Sequence, residues 1–288
     1  MRAFAYERPK SLAELTAILS SDPDAVPLAG GTDLIIGLRD RSVEPSRVVD
    51  LKRVTELDDR IAVDGDRLVI GALAVMEDIA NDPVVRRDFT ALAEAAAYVG
   101  SVQIRNRATL PGNICNASPA ADTVPALLVF AATVVCAGTA GVRRVPIDDF
   151  LVGPGVTAVG RGEIVAAVEL PMPVARRGTA HQRRTRRRGH DLASVTLAVA
   201  VDERGGTRLA YGSLGPRPLL VTDETSELAD AATTPARREE LLAPMLSGAR
   251  PSLRSMRASP AYRVAMLRVL ALRGLEEASR RLRDGAPA

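Results

Sequence analysis

Over its first 170 residues or so the chain alternates short apolar runs with stretches of helical spacing, the order that builds an α/β domain. Ser11-Leu-Ala-Glu14 reads as a capping box, in which a hydroxyl and a carboxylate satisfy free N–H groups at a helix start. A helix is therefore predicted over 11–20, stopping before Pro23. Residues 26–29 form a short strand, broken by Gly30-Gly31 ahead of an amphipathic stretch at 33–38. The next strand is predicted at 47–51, and Asp64-Gly65 between two alternating runs marks a hairpin over 61–70. Helical patterns at 75–80 and 90–99 lead to a loop rich in Gly, Pro and Asn at 109–119, then a helix at 120–131 and a strand at 133–137. The segment 138–162 is dominated by turn residues. A last strand at 164–170 ends in Pro171-Met-Pro173.

The pattern then changes. Apolar strands at 192–202 and 208–214, joined through Gly205-Gly206, make a hairpin. Thr234-Pro235 and Ser259-Pro260 each set a capping residue before a proline at the first helical position, so helices follow over about 235–247 and 260–283. Strands followed by helices are an α+β order. The prolines and the arginines after them place a domain boundary at about 172–180, giving domains 1–174 and 175–288. That division suits a chain of 288 residues, and no internal repeat competes with it.

Composition narrows the class. Hydrophobic residues at 47% and charged residues at 25% describe a folded chain, not a disordered one. No apolar run approaches the ~18 residues of a spanning helix. The first residues turn polar before any hydrophobic segment develops, so no signal peptide is read and a cytoplasmic location is expected. Cys115 and Cys136 are too few for a disulfide framework or for the four thiolates of an iron–sulfur cluster. Lysine occurs only at Lys10 and Lys52, so the net charge of +3 rests on arginine. The dense run Arg183, Arg184, Arg186, Arg187 and Arg188 could hold a phosphate or an acidic partner. It lacks the interleaved aromatics of a single-strand binder, so no nucleic-acid partner is expected.

Several common sites are missing. No G-x-G-x-x-G follows a strand, and no glycine precedes a Lys-Ser or Lys-Thr pair. There is no G-x-S-x-G, and His181 and His190 alone make no histidine-rich metal site. Neither a catalytic residue nor a metal ligand is assigned. Two segments carry backbone chemistry instead. In Pro27-Leu-Ala-Gly-Gly-Thr-Asp-Leu34 a strand runs into two glycines and a helix start, exposing N–H groups as a pyrophosphate needs; the other reading is a tight turn capped by Thr32. The segment from Ala108 to Asp122 holds Gly112, Asn113, Asn116, Ser118 and Asp122 with almost no charge, which suits a hydrogen-bonding surface for a ribityl chain or ribose; the other reading is a buried connector.

Taken together, AGGTDL near residue 30 and TLPGNICNASPAAD some eighty residues later resemble the flavoprotein family of the molybdenum hydroxylases. Its members are the FAD-binding medium subunits or domains of xanthine dehydrogenase and aerobic carbon monoxide dehydrogenase. Gln103-Ile-Arg-Asn106, Arg186-Arg187 with Asp191-Leu-Ala193, and Arg257-Ala-Ser259 with Tyr262-Arg263 resemble further elements in the same order. The resemblance implies an FAD domain of two α/β lobes, split near 55–60, followed by a C-terminal domain of antiparallel strands and a helical bundle. It implies that Pro27, Leu28, Ala29, Gly30, Gly31, Thr32, Asp33 and Leu34 wrap the FAD pyrophosphate. Thr109, Gly112 and Asn113 would form a second clamp, with Ile104 and Ala108 beside it. Asn116 and Asp122 would bond phosphate, ribose or ribityl groups, and Ile164 and Val165 would lie against the isoalloxazine. Pro111 replaces the family's first clamp glycine and has no N–H to give. Where xanthine dehydrogenases bring a lysine to the flavin, this chain reads His181-Gln-Arg-Arg184; the role falls to an arginine, Arg183, or is lost.

The implied partners are a small subunit with two [2Fe-2S] clusters and a large molybdopterin subunit. Electrons would pass from molybdenum through the clusters to FAD and on to NAD, oxygen or a quinone. Asn116-Ala-Ser-Pro-Ala-Ala-Asp122 is nearer the xanthine dehydrogenase form than the carbon monoxide dehydrogenase form, so an N-heterocycle or aldehyde is the expected substrate of the assembly. A carbon monoxide dehydrogenase-like medium subunit, a free-standing FAD oxidoreductase and a nucleotide-binding module are the alternatives.

Overall fold

In the computed structural model, which describes residues 2–187, 189–223 and 225–284, the predicted capping serine does start a helix. Ser11 Oγ accepts the Glu14 N–H at 3.2 Å, but the Glu14 carboxylate turns back to the N–H of Lys10 at 2.8 Å instead of that of Ser11. The helix, Leu12–Ser21, buries Leu15 and Leu19 on one stripe. These side chains share a core with Val49, Leu51, Val54, Leu57, Ala72 and Ile164. Around them Arg47–Asp50 lies between Ala5–Glu7 and Ala25–Leu28, all parallel. The three-residue strand Ala5–Glu7 has too little apolar pattern to be visible in sequence.

A five-stranded sheet follows, in the order Ile61–Asp64, Arg67–Gly71, Ile164–Pro171, Thr133–Gly138, Gly141–Pro146. The hairpin predicted at Asp64-Gly65 is present, with Gly65 at φ 58°. Gly141–Pro146 lies inside the segment read as turns. It is an edge strand whose alternation is masked by two arginines: Arg143 pairs with Glu163 at 2.6 Å and Arg144 with Glu169 at 2.9 Å. Charged side chains on an edge discourage further pairing.

A second sheet is fully antiparallel, in the order Arg177–Arg184, Val195–Asp202, Thr207–Gly212, Leu219–Asp223. The helix Pro260–Asp284 packs on it through Leu267, Leu270, Ala271, Leu275 and Ala278, over a core of Leu197, Val199, Leu209 and Tyr211. The other predicted capped helix is Pro235–Met245, with Thr234 Oγ1 accepting from the N–H of Arg237. Arg177–Arg184 begins within the expected linker. Its place depends on Gly178: a Cβ there would lie 1.9 Å from the carbonyl oxygen of Ala278, so only glycine lets the helix backbone settle on the strand.

The folded chain divides into two compact units. The first takes residues up to Asp78, Val102–Ala117 and Ala132–Leu170; the second takes Ile79–Ser101, Ser118–Ala131 and the chain from Pro171 onward. The units therefore do not follow the linear division at 174 drawn from the prolines. Pro83–Asp88, Thr90–Ala97 and Thr123–Val129, early in sequence, fold with the later antiparallel sheet. Among the described residues no helix is long and apolar enough to cross a membrane, and no cluster of His, Cys, Asp or Glu could hold a metal ion.

Candidate functional site

In the first unit the strand Ala25–Leu28 ends at the double glycine, and the helix Leu34–Asp40 begins with Asp33 at its N-cap. Asp33 makes no side-chain capping bond. Among the described residues the amides of Gly30, Gly31, Thr32 and Asp33 have no acceptor within the protein. Gly31 sits at φ 76°, and successive amides around such a left-handed residue form a concave nest for an anion. Lys52, one of two lysines in the chain, adds a cation by donating to the Ala29 carbonyl at 3.4 Å while paired with the buried Asp50. The sequence reading missed Lys52; the scarcity of lysine was the only signal pointing to it.

Gly30 also explains why the two segments meet. A Cβ on it would lie 1.9 Å from the Arg107 carbonyl oxygen and 3.2 Å from the Ala108 Cα. Residues 108–110 are pinned from the other side, because Ala108 accepts from Met76 at 2.9 Å and Leu110 donates to Ala74 at 3.2 Å. Ile104 and Ala108 spend their backbone on this turn, with Ala108 donating to the Ile104 carbonyl at 2.7 Å. The expected clamp loop contains the short helix Leu110–Cys115, with Thr109 as its cap.

That helix changes what Thr109, Gly112 and Asn113 offer. The Gly112 N–H donates to Thr109 Oγ1 at 3.1 Å, and the Asn113 N–H donates to the Thr109 carbonyl at 3.0 Å. Their amides are thus taken, and only side chains and the open face at Gly112 and Asn116 are left for a ligand. Pro111 falls in the first turn, where an N–H has no helical partner in any case, so the proline removes nothing the helix needs. Cys115 reaches the surface from dense surroundings that push its thiol up to about 12, leaving it protonated and unreactive. Ile164 and Val165 are both buried beside a bulge in the strand, and Ile164 belongs to the core with Leu15 and Leu19.

The second unit holds a buried polar cluster. Arg183 pairs with Asp122 at 3.1 Å, its guanidinium lies 5.2 Å from the Tyr98 ring centre, and it donates to the carbonyls of Tyr98 and Asp191. His181 Nε2 is 3.1 Å from Thr196 Oγ1 and 3.8 Å from Asp122 Oδ1. Burial raises Asp122 to about 6, against the pull of Arg183 and Thr196. Burial, aided by Arg183, drives His181 down to about 3, so its imidazole is neutral. Asp122 Oδ1, His181 Nδ1 and Arg183 Nε remain without a hydrogen-bond partner. Three buried atoms in one cluster thus keep unused hydrogen-bonding capacity. The roles of His181, Thr196 and Tyr98 carried no sequence signal, because their proximity arises only from strand pairing and helix packing.

The other quoted motifs tie elements together. Arg186 holds Asp191, whose carboxyl falls to about 2. Arg184 donates to the Tyr262 hydroxyl at 2.9 Å, and Arg263 donates to the Ser194 carbonyl at 2.9 Å. Arg188 lies outside the described residues.

Residues 2–173 match the family described as the FAD binding domain in molybdopterin dehydrogenase, and residues 180–278 match the carbon monoxide dehydrogenase flavoprotein C-terminal domain. The chain belongs to this family. The nicotinate dehydrogenase FAD-subunit of Eubacterium barkeri is 34% identical over 244 residues, covering 81% of this chain and 82% of that protein. The xanthine dehydrogenase FAD-binding subunit of Escherichia coli O157:H7 is 29% identical over 279 residues, 95% of each chain. Among solved structures, carbon monoxide dehydrogenase from Hydrogenophaga pseudoflava superimposes with a TM-score of 0.88 at 29% identity, over 97% of this chain and 98% of that one. The chain is an FAD-binding medium subunit of the molybdenum hydroxylase type, and its cofactor is FAD. The residues of the first unit suit that group: free amides beside glycines that leave room for a phosphate.

Proposed function

We propose that this chain is the electron-relay subunit of a three-subunit molybdenum hydroxylase, cytoplasmic, with a small [2Fe-2S] subunit and a large molybdopterin subunit as partners and NAD, oxygen or a quinone as acceptor. FAD, when bound, supplies the redox chemistry that links one-electron clusters to such an acceptor. The observation that carries this reading is the row of free amides from Gly30 to Asp33, held against Arg107 and Ala108 by the missing Cβ of Gly30. Those amides and Thr32 would hold the pyrophosphate, with Pro27, Leu28, Ala29 and Leu34 framing them. Thr109, Gly112, Asn113 and Asn116 would add polar groups from one side, while Ile104, Ala108, Ile164 and Val165 fix the backbone they stand on. Asp122 and Arg183 would meet polar edges of the flavin or its ribityl chain, Arg183 in place of the family's lysine. The linear domains 1–174 and 175–288 are the units of inheritance in this proposal, beside the two compact units of the fold.

The Asn116 to Asp122 wording supports an N-heterocycle or aldehyde as substrate of the large subunit. The test is the visible spectrum. Purified wild-type chain should carry flavin bands near one FAD per chain, and Gly30→Ala should lose most of them while keeping its far-ultraviolet dichroism. Flavin content unchanged in that variant would refute the pocket. Co-expression with its neighbouring iron–sulfur and molybdopterin chains should yield a single complex containing iron and molybdenum; a flavoprotein that always purifies alone and oxidises substrate unaided would instead be a free-standing enzyme.

A further inference from the structure

The second unit carries a charged groove whose lining shares no residue with the proposed flavin site. An open cavity of about 480 Å³ is lined by Arg87, Arg176, Arg177 and Arg281, with the fully exposed Val174 at its rim. A neighbouring cavity of about 190 Å³ shares Pro173, Val174, Ala175 and Arg177 with it and adds Arg208. Their combined size suits a small metabolite.

The arginines are not equivalent. Arg87 is paired with Asp88, and Arg281 with Glu94. Arg176, Arg177 and Arg208 have no carboxylate partner among the described residues. Each bonds a main-chain carbonyl instead: Arg176 that of Leu282 at 2.9 Å, Arg177 that of Asp88 at 3.2 Å, Arg208 that of Leu128 at 3.0 Å. Asp88 and Leu128 close the helices Pro83–Asp88 and Thr123–Val129, so two guanidinium groups are anchored at helix C-termini, where a cation is favoured. One carbonyl occupies one of five N–H donors, and the rest are left over. Arg177 is fixed further by the rings of Phe89 and Phe130, whose centres lie 4.9 and 4.6 Å from its guanidinium, and its buried Nε has no acceptor.

Helix capping alone does not account for this arrangement. Burial lowers Arg177 to about 10, opposed by the charge of Asp88 and aided by that of Arg208, and burial lowers Arg208 as well. Arg177 and Arg208 are kept half-buried without an ion-pair partner among the described residues, and the Asp88 carboxylate that eases the charge of Arg177 is itself paired with Arg87. Asp88, Asp202 and Glu203 also line the groove; Asp88 pairs with Arg87, and Asp202 Oδ1 accepts from the amides of Arg204 and Gly206. A bound dianion would offset both the burial and the repulsion.

We propose that this groove binds a small organic phosphate, a ligand separate from the flavin. Arg177 and Arg208 hold the phosphate oxygens, Arg176 adds charge at the rim, and Pro173, Val174 and Ala175 receive the organic part. The experiment is calorimetric titration of the FAD-saturated chain with AMP and, separately, with inorganic phosphate, each at low and high salt. Saturable one-to-one binding of AMP is expected, tighter than that of phosphate and weakened by salt. Arg177→Met, which keeps an apolar stem between the rings, should weaken it by at least about tenfold with flavin absorbance unchanged. Val174→Glu sets an acid at the exposed rim without touching the core and should do the same. No saturable binding by the wild-type chain, or equal binding by both variants, overturns the site; phosphate binding as tightly as AMP overturns the organic ligand.

Discussion

His181 shows how a residue to which the sequence assigns no role acquires a physical one through its neighbours. It is buried beside Arg183, so it folds neutral, while Asp122 across the cluster is pushed toward its protonated form. The signs oppose. A histidine lowered from 6.5 to about 3 stabilises the fold above 6.5 and withdraws that support as pH falls toward 3. An aspartate raised from 3.8 to about 6 stabilises the fold when protonated, support that is lost as pH rises from 3.8 through 6. Between pH 7.5 and 5 the histidine loss is about 2 kcal/mol and the aspartate gain about 1 kcal/mol, so the aspartate offsets about half of the loss. His181→Gln removes only the first contribution. Urea unfolding at the two pH values should show the variant gaining stability on acidification relative to wild type by about 2 kcal/mol. Identical pH dependence would show that the imidazole is not held neutral.

At the scale of elements, glycines decide which strands and helices can approach. Arg177–Arg184 was invisible to pattern reading because Gly178, Thr179 and Ala180 offer no apolar alternation, yet it is the strand on which the long C-terminal helix rests. Gly178→Ala would press a methyl against the Ala278 carbonyl and the Leu282 amide, both backbone, and should cost about 1–3 kcal/mol in chemical unfolding. Gly274→Ala meets side chains alone, the nearest Val199 Cγ2 at 3.0 Å, and should cost clearly less. Equal losses would mean that the approach of the helix backbone does not set the cost at Gly178. The short helix Leu110–Cys115 makes the same point for the site: Pro111 and Gly112 look like a loop, but Thr109 supplies the cap that makes them a first turn.

For the whole molecule, the proposed site makes FAD a ligand of the folded chain alone, because the two segments proposed to hold it lie about eighty residues apart. Its binding should therefore raise the melting temperature, and the rise should continue with free FAD above saturation, by about 2.7 kcal/mol of stability at a hundredfold excess over Kd. Scanning calorimetry of flavin-free and flavin-loaded chain checks this; a melting temperature independent of added FAD would place the flavin on a surface that survives unfolding. The two compact units each draw on several stretches of chain, and the last stretch of the second begins at Pro171.

What the residues determined by themselves was local and chemical. Caps at Ser11, Thr234 and Ser259, the turn at Asp64-Gly65, and the two segments that resemble a flavin site depend on neighbours within a few positions, where backbone sterics and hydrogen bonding act directly. Tertiary structure alone decided that Gly30 touches Arg107, that Lys52 reaches the glycine turn, and that Asp122, His181, Arg183 and Thr196 share one buried cluster. Those contacts join residues far apart in the chain, and their geometry exists only once sheet register and helix packing are set.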